Sequence, residues 1–263
     1  RAVIAKVDDE AGLTPRYAFM ILMSAGIAVL GLLLSSPAVV IGAMLISPLM
    51  GPIIGLGFGM ALVDGNEMRR TAMSLAAGVL LAVLFTALIV FFSPIKDVTS
   101  EIAARTRPNL FDLLVALFSA LAGAYAMIRG REGTIVGVAI ATALMPPLAT
   151  VGFGLATLNA TVFFGALLLF VTNLMTIAIA AAIMARLYGF GPKLSGRQSG
   201  MQAVVIMAVL LALAIPLGYS LSQIAWEARA QRQARDVLAD QFPRQAKIDQ
   251  LEIDFSAEPL AIR

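Results

Sequence analysis

Long, nearly uninterrupted apolar stretches dominate the chain and restrict it to folds that keep most helix surfaces away from water. Hydrophobic residues make up 60% of its 263 residues and charged residues only 13%, against about 25% charged in an ordinary soluble domain. Because about 20 apolar residues span a bilayer as a helix, we expect an all-α polytopic membrane protein. The predicted spans are Tyr17–Leu34, Ala38–Val63, Thr71–Phe92, Phe111–Ile128, Thr134–Leu158, Val162–Leu187 and Met201–Ser222.

Lysine and arginine residues are divided unequally between the two sides of these spans. If every span crosses the membrane, ten lysine and arginine residues lie on the side of the N-terminus and three on the other side, without counting the C-terminal tail. Since positive charge gathers on the cytoplasmic side, we expect a cytoplasmic N-terminus and an extracytoplasmic C-terminus. The expected segments are 1–16 (cytoplasmic, and possible remainder of a larger N-terminal part), 17–92 (repeat 1), 93–110 (extracytoplasmic connector), 111–187 (repeat 2), 188–200 (cytoplasmic loop), 201–222 (seventh transmembrane helix) and 223–263 (extracytoplasmic tail).

The chain contains neither cysteine nor histidine, which excludes several classes of chemistry. Disulfide frameworks and thiolate metal sites need cysteine. Ser-His-Asp and Cys-His hydrolases and zinc proteases need histidine. We therefore expect no enzyme activity and no cofactor or metal, and the basic residues at span ends indicate membrane topology rather than nucleic-acid binding.

One apolar motif occurs twice, 95 residues apart. GAMLISPLMGPIIGLGFGMA (Gly42–Ala61) aligns without a gap with GVAIATALMPPLATVGFGLA (Gly137–Ala156), and 8 of the 20 pairs are identical. The same shift aligns the flanking spans, so each copy contains three crossings. An odd number of crossings inverts the second copy. We therefore predict two inverted three-helix repeats with broken second helices, a plan found in many secondary transporters.

Prolines in both copies of the motif predict breaks within the second helix of each repeat. Because proline has no N–H and clashes with the carbonyl four residues earlier, these prolines are expected to free nearby carbonyls and to start new half-helices. Within a bilayer, such irregular backbone is tolerated only where it is buried in protein or lines a water-filled cavity. The predicted substrate or ion site comprises Met44, Ser47, Pro48, Gly51, Pro52, Thr142, Ala143, Pro146 and Pro147. The competing interpretation is a pair of simple helix kinks.

Other small and polar residues in the spans are predicted to pack helices together. Small residues let helix backbones approach closely, and hydroxyl and amide groups form hydrogen bonds between helices. The residues assigned to helix packing are Gly55, Gly57, Gly59, Gly152, Gly154 and Asn173. Thr172 and Thr176 share a helix face with i, i+4 spacing; hydrogen bonding between helices is favoured for them over a substrate contact.

The polar tail carries a helical stretch followed by an alternating one. Trp226–Phe242 is rich in Ala, Arg and Gln and is expected to be helical. In QLEIDF, apolar residues alternate with acidic ones, which is typical of a half-buried strand. A single strand needs a partner, so we expect it to pair with a neighbouring subunit or with a segment absent from this chain, which favours a homo-oligomer.

At GAMLISPLMGPIIGLGFGMAL and ATALMPPLATVGFGLA the chain resembles a bacterial and archaeal membrane family called domain of unknown function 389, or the uncharacterised hydrophobic domain. The resemblance covers about Tyr17–Leu187. It implies a multi-pass protein of the bacterial or archaeal cytoplasmic membrane, sometimes with a soluble N-terminal domain, and it supplies neither a substrate nor catalytic residues.

Two functions remain open from the sequence. The first is a transporter or channel for a small ion or solute, with its site at the two breaks; half-helix N-termini favour an anion, freed carbonyls favour a cation, and the sequence does not choose. The second is a non-transporting scaffold or sensor whose soluble parts carry the function. An intramembrane enzyme is the weakest reading. The expected partners are the lipid bilayer, the small ion or solute and further copies of the chain.

Overall fold

The computed structural model describes residues 12–128 and 144–190, single helical positions at 215, 218, 219, 222, 226 and 229, and the backbone of 253–254 and 261–262. Within residues 12–128 and 144–190 its regular elements are helices. They are α1 (Pro15–Leu33), α2 (Pro37–Leu45), α3 (Met50–Leu62), α4 (Gly65–Phe92), α5 (Ser100–Ala103), α6 (Leu110–Ile128), α7 (Met145–Ala156) and α8 (Ala160–Leu187); β1 (Ile253–Asp254) and β2 (Ala261–Ile262) follow.

Four of these helices, α1, α4, α6 and α8, are long and apolar enough to cross a membrane, and a fifth span results if α2 and α3 form one bent span. The chain is therefore a polytopic membrane protein, as its hydropathy predicts. The first part of the predicted fifth span, 134–143, lies outside the described residues. So does the predicted seventh span, 201–222, apart from single helical positions.

Local signals in the sequence explain where the long helices begin. The Thr14 side chain accepts a hydrogen bond from the backbone N–H of Tyr17 at 3.1 Å and caps α1, whose first residue is a proline. Asp64 caps α4 in the same way, accepting from the backbone N–H groups of Asn66 and Glu67. Side-chain acceptors at this position satisfy N–H groups that the helix itself leaves unpaired.

The helix boundaries recur with the 95-residue spacing of the motif. Helices α1 and α6 both have 19 residues, α4 and α8 both have 28, and each pair starts 95 residues apart. The turns before α4 and α8 also correspond: Val63 and Leu158 both have positive φ, near 58° and 54°. Asn159 caps α8 as Asp64 caps α4.

The short helices α3 and α7 connect the two copies of the motif. Helix α3 packs against α4, which follows it, and also against α8. Helix α7 packs against α8, which follows it, and also against α4. Each short helix thus lies between the long helix of its own copy and that of the other copy. Helix α8 is the most buried of the four long helices, since 61% of an apolar stretch of 18 residues within it lies inside the protein. The core is therefore centred on α8.

The connector between the two copies covers one end of the bundle. The Thr99 hydroxyl donates to the carbonyl oxygen of Leu32, in the last turn of α1, at 2.7 Å. Ile102 of α5 is fully buried. A Cβ added at Gly165, in the second turn of α8, would meet the backbone of Thr106. The connector therefore joins the end of α1 to the beginning of α8.

The tail differs from the prediction in its strand pairing. Ile253 aligns with Ile262 and Asp254 with Ala261 in an antiparallel pair formed within the chain. The expectation that this strand pairs with a neighbouring subunit or an absent segment is wrong, because the chain itself returns a partner eight residues later. The predicted helix at 226–242 lies outside the described residues apart from positions 226 and 229.

Candidate functional site

The first predicted break lies between α2 and α3. Helix α2 ends at Leu45, α3 begins at Met50, and the two axes differ in direction by 56°. Pro48 sits in the four-residue turn between them. A proline there removes a donor and disfavours helical geometry in the residue before it, which explains why α2 stops.

Pro48 has no N–H to donate to the carbonyl of Met44, but this carbonyl still has a donor. The backbone N–H of Ser47 donates to it at 3.3 Å, so the end of α2 tightens by one residue. That shift takes the Ser47 N–H away from its regular acceptor, the carbonyl oxygen of Ala43. The hydroxyl of Ser24 on α1 donates to this oxygen instead, at 2.8 Å.

Ser24 is a residue of the break that the sequence analysis missed. It is fully buried, and its bond to Ala43 crosses from α1 to α2. The available signal was a lone serine in the apolar stretch of α1, but its partner follows only from the packing of α1 against α2.

The Ser47 hydroxyl, unlike that of Ser24, has no hydrogen-bond partner in the described part of the chain. Its Oγ atom is buried. Burying a hydroxyl without a partner costs on the order of 1–3 kcal/mol. Three residues further along the chain, the N–H groups of Met50 and Gly51 open α3, where a helix provides no acceptor of its own. The bend therefore brings together one unsatisfied hydroxyl and the N-terminus of a half-helix.

The other prolines stand in the first turns of helices. Pro52 is the third residue of α3, and Pro146 and Pro147 are the second and third residues of α7. First-turn positions tolerate proline because their N–H groups have no intrahelical acceptor. The half-helices are expected to start near Gly51–Ile53 and near Pro147–Ala149; α3 starts at Met50 and α7 at Met145, one and two residues earlier.

The second predicted break is described only on its C-terminal side. Pro146 and Pro147 are buried, and the Thr150 hydroxyl donates to the carbonyl oxygen of Pro146 at 2.9 Å. Thr142 and Ala143 lie outside the described residues. Whether the two breaks face each other therefore stays a prediction.

The glycines of the motif lie where two helices nearly touch. A Cβ added at Gly57 would lie 2.6 Å from the carbonyl oxygen of Ala178 on α8. A Cβ added at Gly152 would lie 2.9 Å from the carbonyl oxygen of Val83 on α4 and would clash with Thr86. Real Cβ atoms do not come this close to backbone, so only glycine fits either position without a shift.

A second pair of motif glycines lies in the last turns of α3 and α7. Gly59 faces the backbone of Met68 on α4, and a Cβ there would lie 3.1 Å from its nitrogen. Gly154 faces the backbone of Phe163 on α8 in the same way, at 2.6 Å. Gly55 is buried within α3.

The hydroxyl groups of α8 are occupied by their own helix. Thr172 donates to the carbonyl oxygens of Leu168 and Leu169, at 2.9 and 3.0 Å, and Thr176 donates to that of Thr172 at 2.7 Å. The expectation that they bond between helices is wrong. A buried threonine in an apolar helix satisfies its hydroxyl with the preceding turn when no partner is nearer. Asn173 is buried beside them.

Charged groups contribute little to the described site. The ion pair of Arg105 with Glu101, at 2.9 Å, belongs to the connector. No cluster of three or more acidic, histidine or cysteine side chains occurs within residues 12–128 and 144–190. The polar groups at the bend are therefore hydroxyl and backbone groups.

Comparison with known proteins gives two findings. The sequence model of the family described as "Domain of unknown function (DUF389)" matches residues 44–179, slightly more than half of the chain. An uncharacterized protein of Methanocaldococcus jannaschii is 27% identical over 203 residues, which make up 77% of this chain and 63% of that protein. The chain thus spans less than two thirds of the length of the curated relative it matches. No solved structure matches the chain.

Proposed function

We propose that this chain, which belongs to the DUF389 (domain of unknown function) family, is a transporter or channel for a small ion or solute in the cytoplasmic membrane. Its site lies at the bend between α2 and α3. The observation that carries the proposal is the Ser47 hydroxyl, which is buried at the bend without a partner in the described part of the chain. An unpaired group in an apolar interior is expensive, and a polar species passing the bend would satisfy it.

Contacts of the connector support an inverted arrangement of the two repeats. The connector follows α4, contacts the last turn of α1 and the second turn of α8, and leads into α6. Helices α1 and α4 therefore end, and α6 and α8 begin, at the same end of the bundle. Equivalent helices of the two repeats run in opposite directions in this arrangement. With a cytoplasmic N-terminus, the connector lies outside the cell.

The glycine contacts support a two-fold relation between the repeats. Gly57 meets Ala178, and Gly152 meets Val83. When 95 is subtracted from the number of each second-repeat residue, both pairs join positions 57 and 83, with the roles of the two repeats exchanged. Such an exchange of contacts is the signature of an isologous, two-fold interface. Two-fold inverted repeats place their substrate sites where discontinuous helices meet, near the middle of the membrane.

The hydrogen bonds at the bend favour an anionic solute over a cation. The carbonyls of Ala43 and Met44, which would attract a cation, already accept from Ser24 and from the backbone of Ser47. Besides the remaining carbonyls of the four-residue turn, the bend offers the Ser47 hydroxyl and the first N–H groups of α3. The N-terminus of a helix attracts negative charge through these groups and its dipole.

A flux assay in liposomes tests the proposal. Purified protein is reconstituted, and the fluxes of chloride, nitrate, sulfate and phosphate are compared with those of sodium and potassium. Ser47→Ala removes a hydrogen bond to a charged solute, so its flux is expected to fall about tenfold or more. Thr176→Val is the matched control, because its hydroxyl bonds only within α8, and it is expected to keep the wild-type flux.

The outcomes separate the parts of the proposal. Equal fluxes for wild type and Ser47→Ala would remove the bend as the site. Flux of cations alone would keep transport but refute the preference for anions. Protein that inserts correctly and moves none of these solutes would favour the second candidate, a scaffold or sensor whose soluble parts carry the function.

A further inference from the structure

An open groove lies between α1 and α4, near the end of the bundle that the connector covers. It encloses about 450 Å³ and is lined by Leu30, Leu33, Leu88, Ile89, Phe92 and Ser93. Its lining is apolar except for Ser93, and Leu30, Leu88 and Phe92 are also exposed on the outer surface of the bundle. The groove therefore opens sideways, towards the lipid in a membrane-embedded protein.

The second repeat fills the equivalent position with its own side chains. Shifted by 95 residues, Leu30 corresponds to Tyr125 and Ser93 to Tyr188. These two tyrosine rings contact each other edge to face, with centroids 6.1 Å apart. A pair of aromatic rings thus occupies the space between α6 and α8 that remains open between α1 and α4.

A cation follows the groove along the chain. Lys96 follows Ser93 by three residues, and its ammonium group lies 5.8 Å from the centre of the Phe91 ring. This contact is a cation–π interaction, which holds the flexible side chain beside α4. An apolar groove that opens sideways, followed in the connector by a cation, matches the chemistry of a phospholipid, in which acyl chains are joined to a phosphate.

We propose that the groove between α1 and α4 binds one phospholipid, with an acyl chain along Leu30, Leu88 and Phe92 and the phosphate at Lys96. Lipid tails are as apolar as leucine, so burying a chain gains little over the surrounding bilayer. Selectivity for a bound lipid therefore comes from the shape of the groove and from the phosphate contact. This lipid site is independent of transport; the proposed orientation decides only that the lipid belongs to the outer leaflet.

Native mass spectrometry of the full chain in mild detergent tests the site. Palmitoyl-oleoyl phosphatidylglycerol is added at increasing concentration, and diacylglycerol with the same chains serves as the probe without a phosphate. Wild-type protein is expected to retain one phosphatidylglycerol at higher affinity than any further lipid. Lys96→Gln is expected to weaken this binding about fivefold, since one lysine near a membrane surface contributes about 1 kcal/mol, and to leave diacylglycerol binding unchanged.

A double variant fills the groove with the residues of the second repeat. Leu30→Tyr together with Ser93→Tyr is expected to remove the high-affinity lipid. Leu80→Tyr with Phe164→Tyr is the matched control, because both positions are exposed apolar surface away from the groove, and it is expected to bind as wild type does.

Three results would overturn the proposal. The first is a double variant that keeps the high-affinity lipid, and the second is a Lys96→Gln protein with unchanged preference for phosphatidylglycerol. The third is a wild-type protein that is dimeric while the double variant is monomeric. The last result would assign the groove to a second copy of the chain. Lys96 lies on the exposed connector, so its variant tests the phosphate contact even if the double variant fails to fold.

Discussion

The two copies of the motif agree at one end of the broken helix and differ at the other. At the C-terminal end, the same close contacts and the same capped turn recur 95 residues apart: Gly59 and Gly154, Val63 and Leu158, Asp64 and Asn159. At the N-terminal end, Pro48 corresponds to Ala143 and Gly51 to Pro146. The first half-helix therefore opens with more N–H groups than the second, because α7 carries prolines at its second and third positions.

This difference shows which part of the repeat is fixed by packing. Where the backbones of two helices lie so close that a Cβ atom would not fit, both copies have glycine. At the bends, proline is tolerated at several first-turn positions, so the two copies differ there. A repeated half-helix can therefore keep its close packing contacts while the polar groups at its N-terminal end diverge.

The largest expected effect comes from the glycine seam. Gly57→Val and Gly152→Val both place a branched side chain against backbone of the facing long helix, and each is expected to destabilise the protein by about 3 kcal/mol or more, at the upper end of overpacking costs. Thermal unfolding in detergent measures the loss. Gly42→Val is the control, since nothing lies within 4 Å of a Cβ added at Gly42. A large effect at one seam glycine and none at the other would break the equivalence of the two copies.

The next effect concerns the serine that caps the end of α2. Ser24→Ala leaves the carbonyl oxygen of Ala43 buried without its side-chain donor, which is expected to cost about 1–3 kcal/mol. Ser119 corresponds to Ser24 after a shift of 95 residues. If the second repeat builds its break in the same way, Ser119→Ala lowers the melting temperature by a similar amount. A loss confined to Ser24→Ala would show that the two breaks are closed differently.

The smallest effect concerns the helix caps. Asp64→Ala and Asn159→Ala each remove the side-chain acceptor at the start of a 28-residue helix, and each is expected to cost about 1 kcal/mol. Their matched controls are Asp64→Asn and Asn159→Asp, which exchange the residues of the two copies and retain a cap. Melting temperatures that fall as far in the exchanged variants as in the alanine variants would contradict the capping role.

Hydropathy was sufficient to predict the long helices, and the fixed 95-residue spacing predicted which helices correspond. The detailed chemistry of the break was less accessible. Pro48 is correctly expected to stop a helix, whereas Pro52 stands in the first turn of α3 and interrupts none. Residues 129–143, which would test the same role for Pro146, lie outside the described part of the chain. Ser24 was missed because its acceptor lies on another helix. Sequence spacing describes one helix at a time, whereas the hydrogen bonds at a break depend on the neighbouring helices.

The position of α3 between α4 and α8 has a consequence for how the protein is made. While the first 92 residues leave the ribosome, α3 has its own long helix on one side and no protein partner on the other. Its second side is covered only after residue 187 has been synthesised and inserted. Until α8 is inserted, the side of α3 that carries Gly57 therefore faces the translocation machinery or lipid.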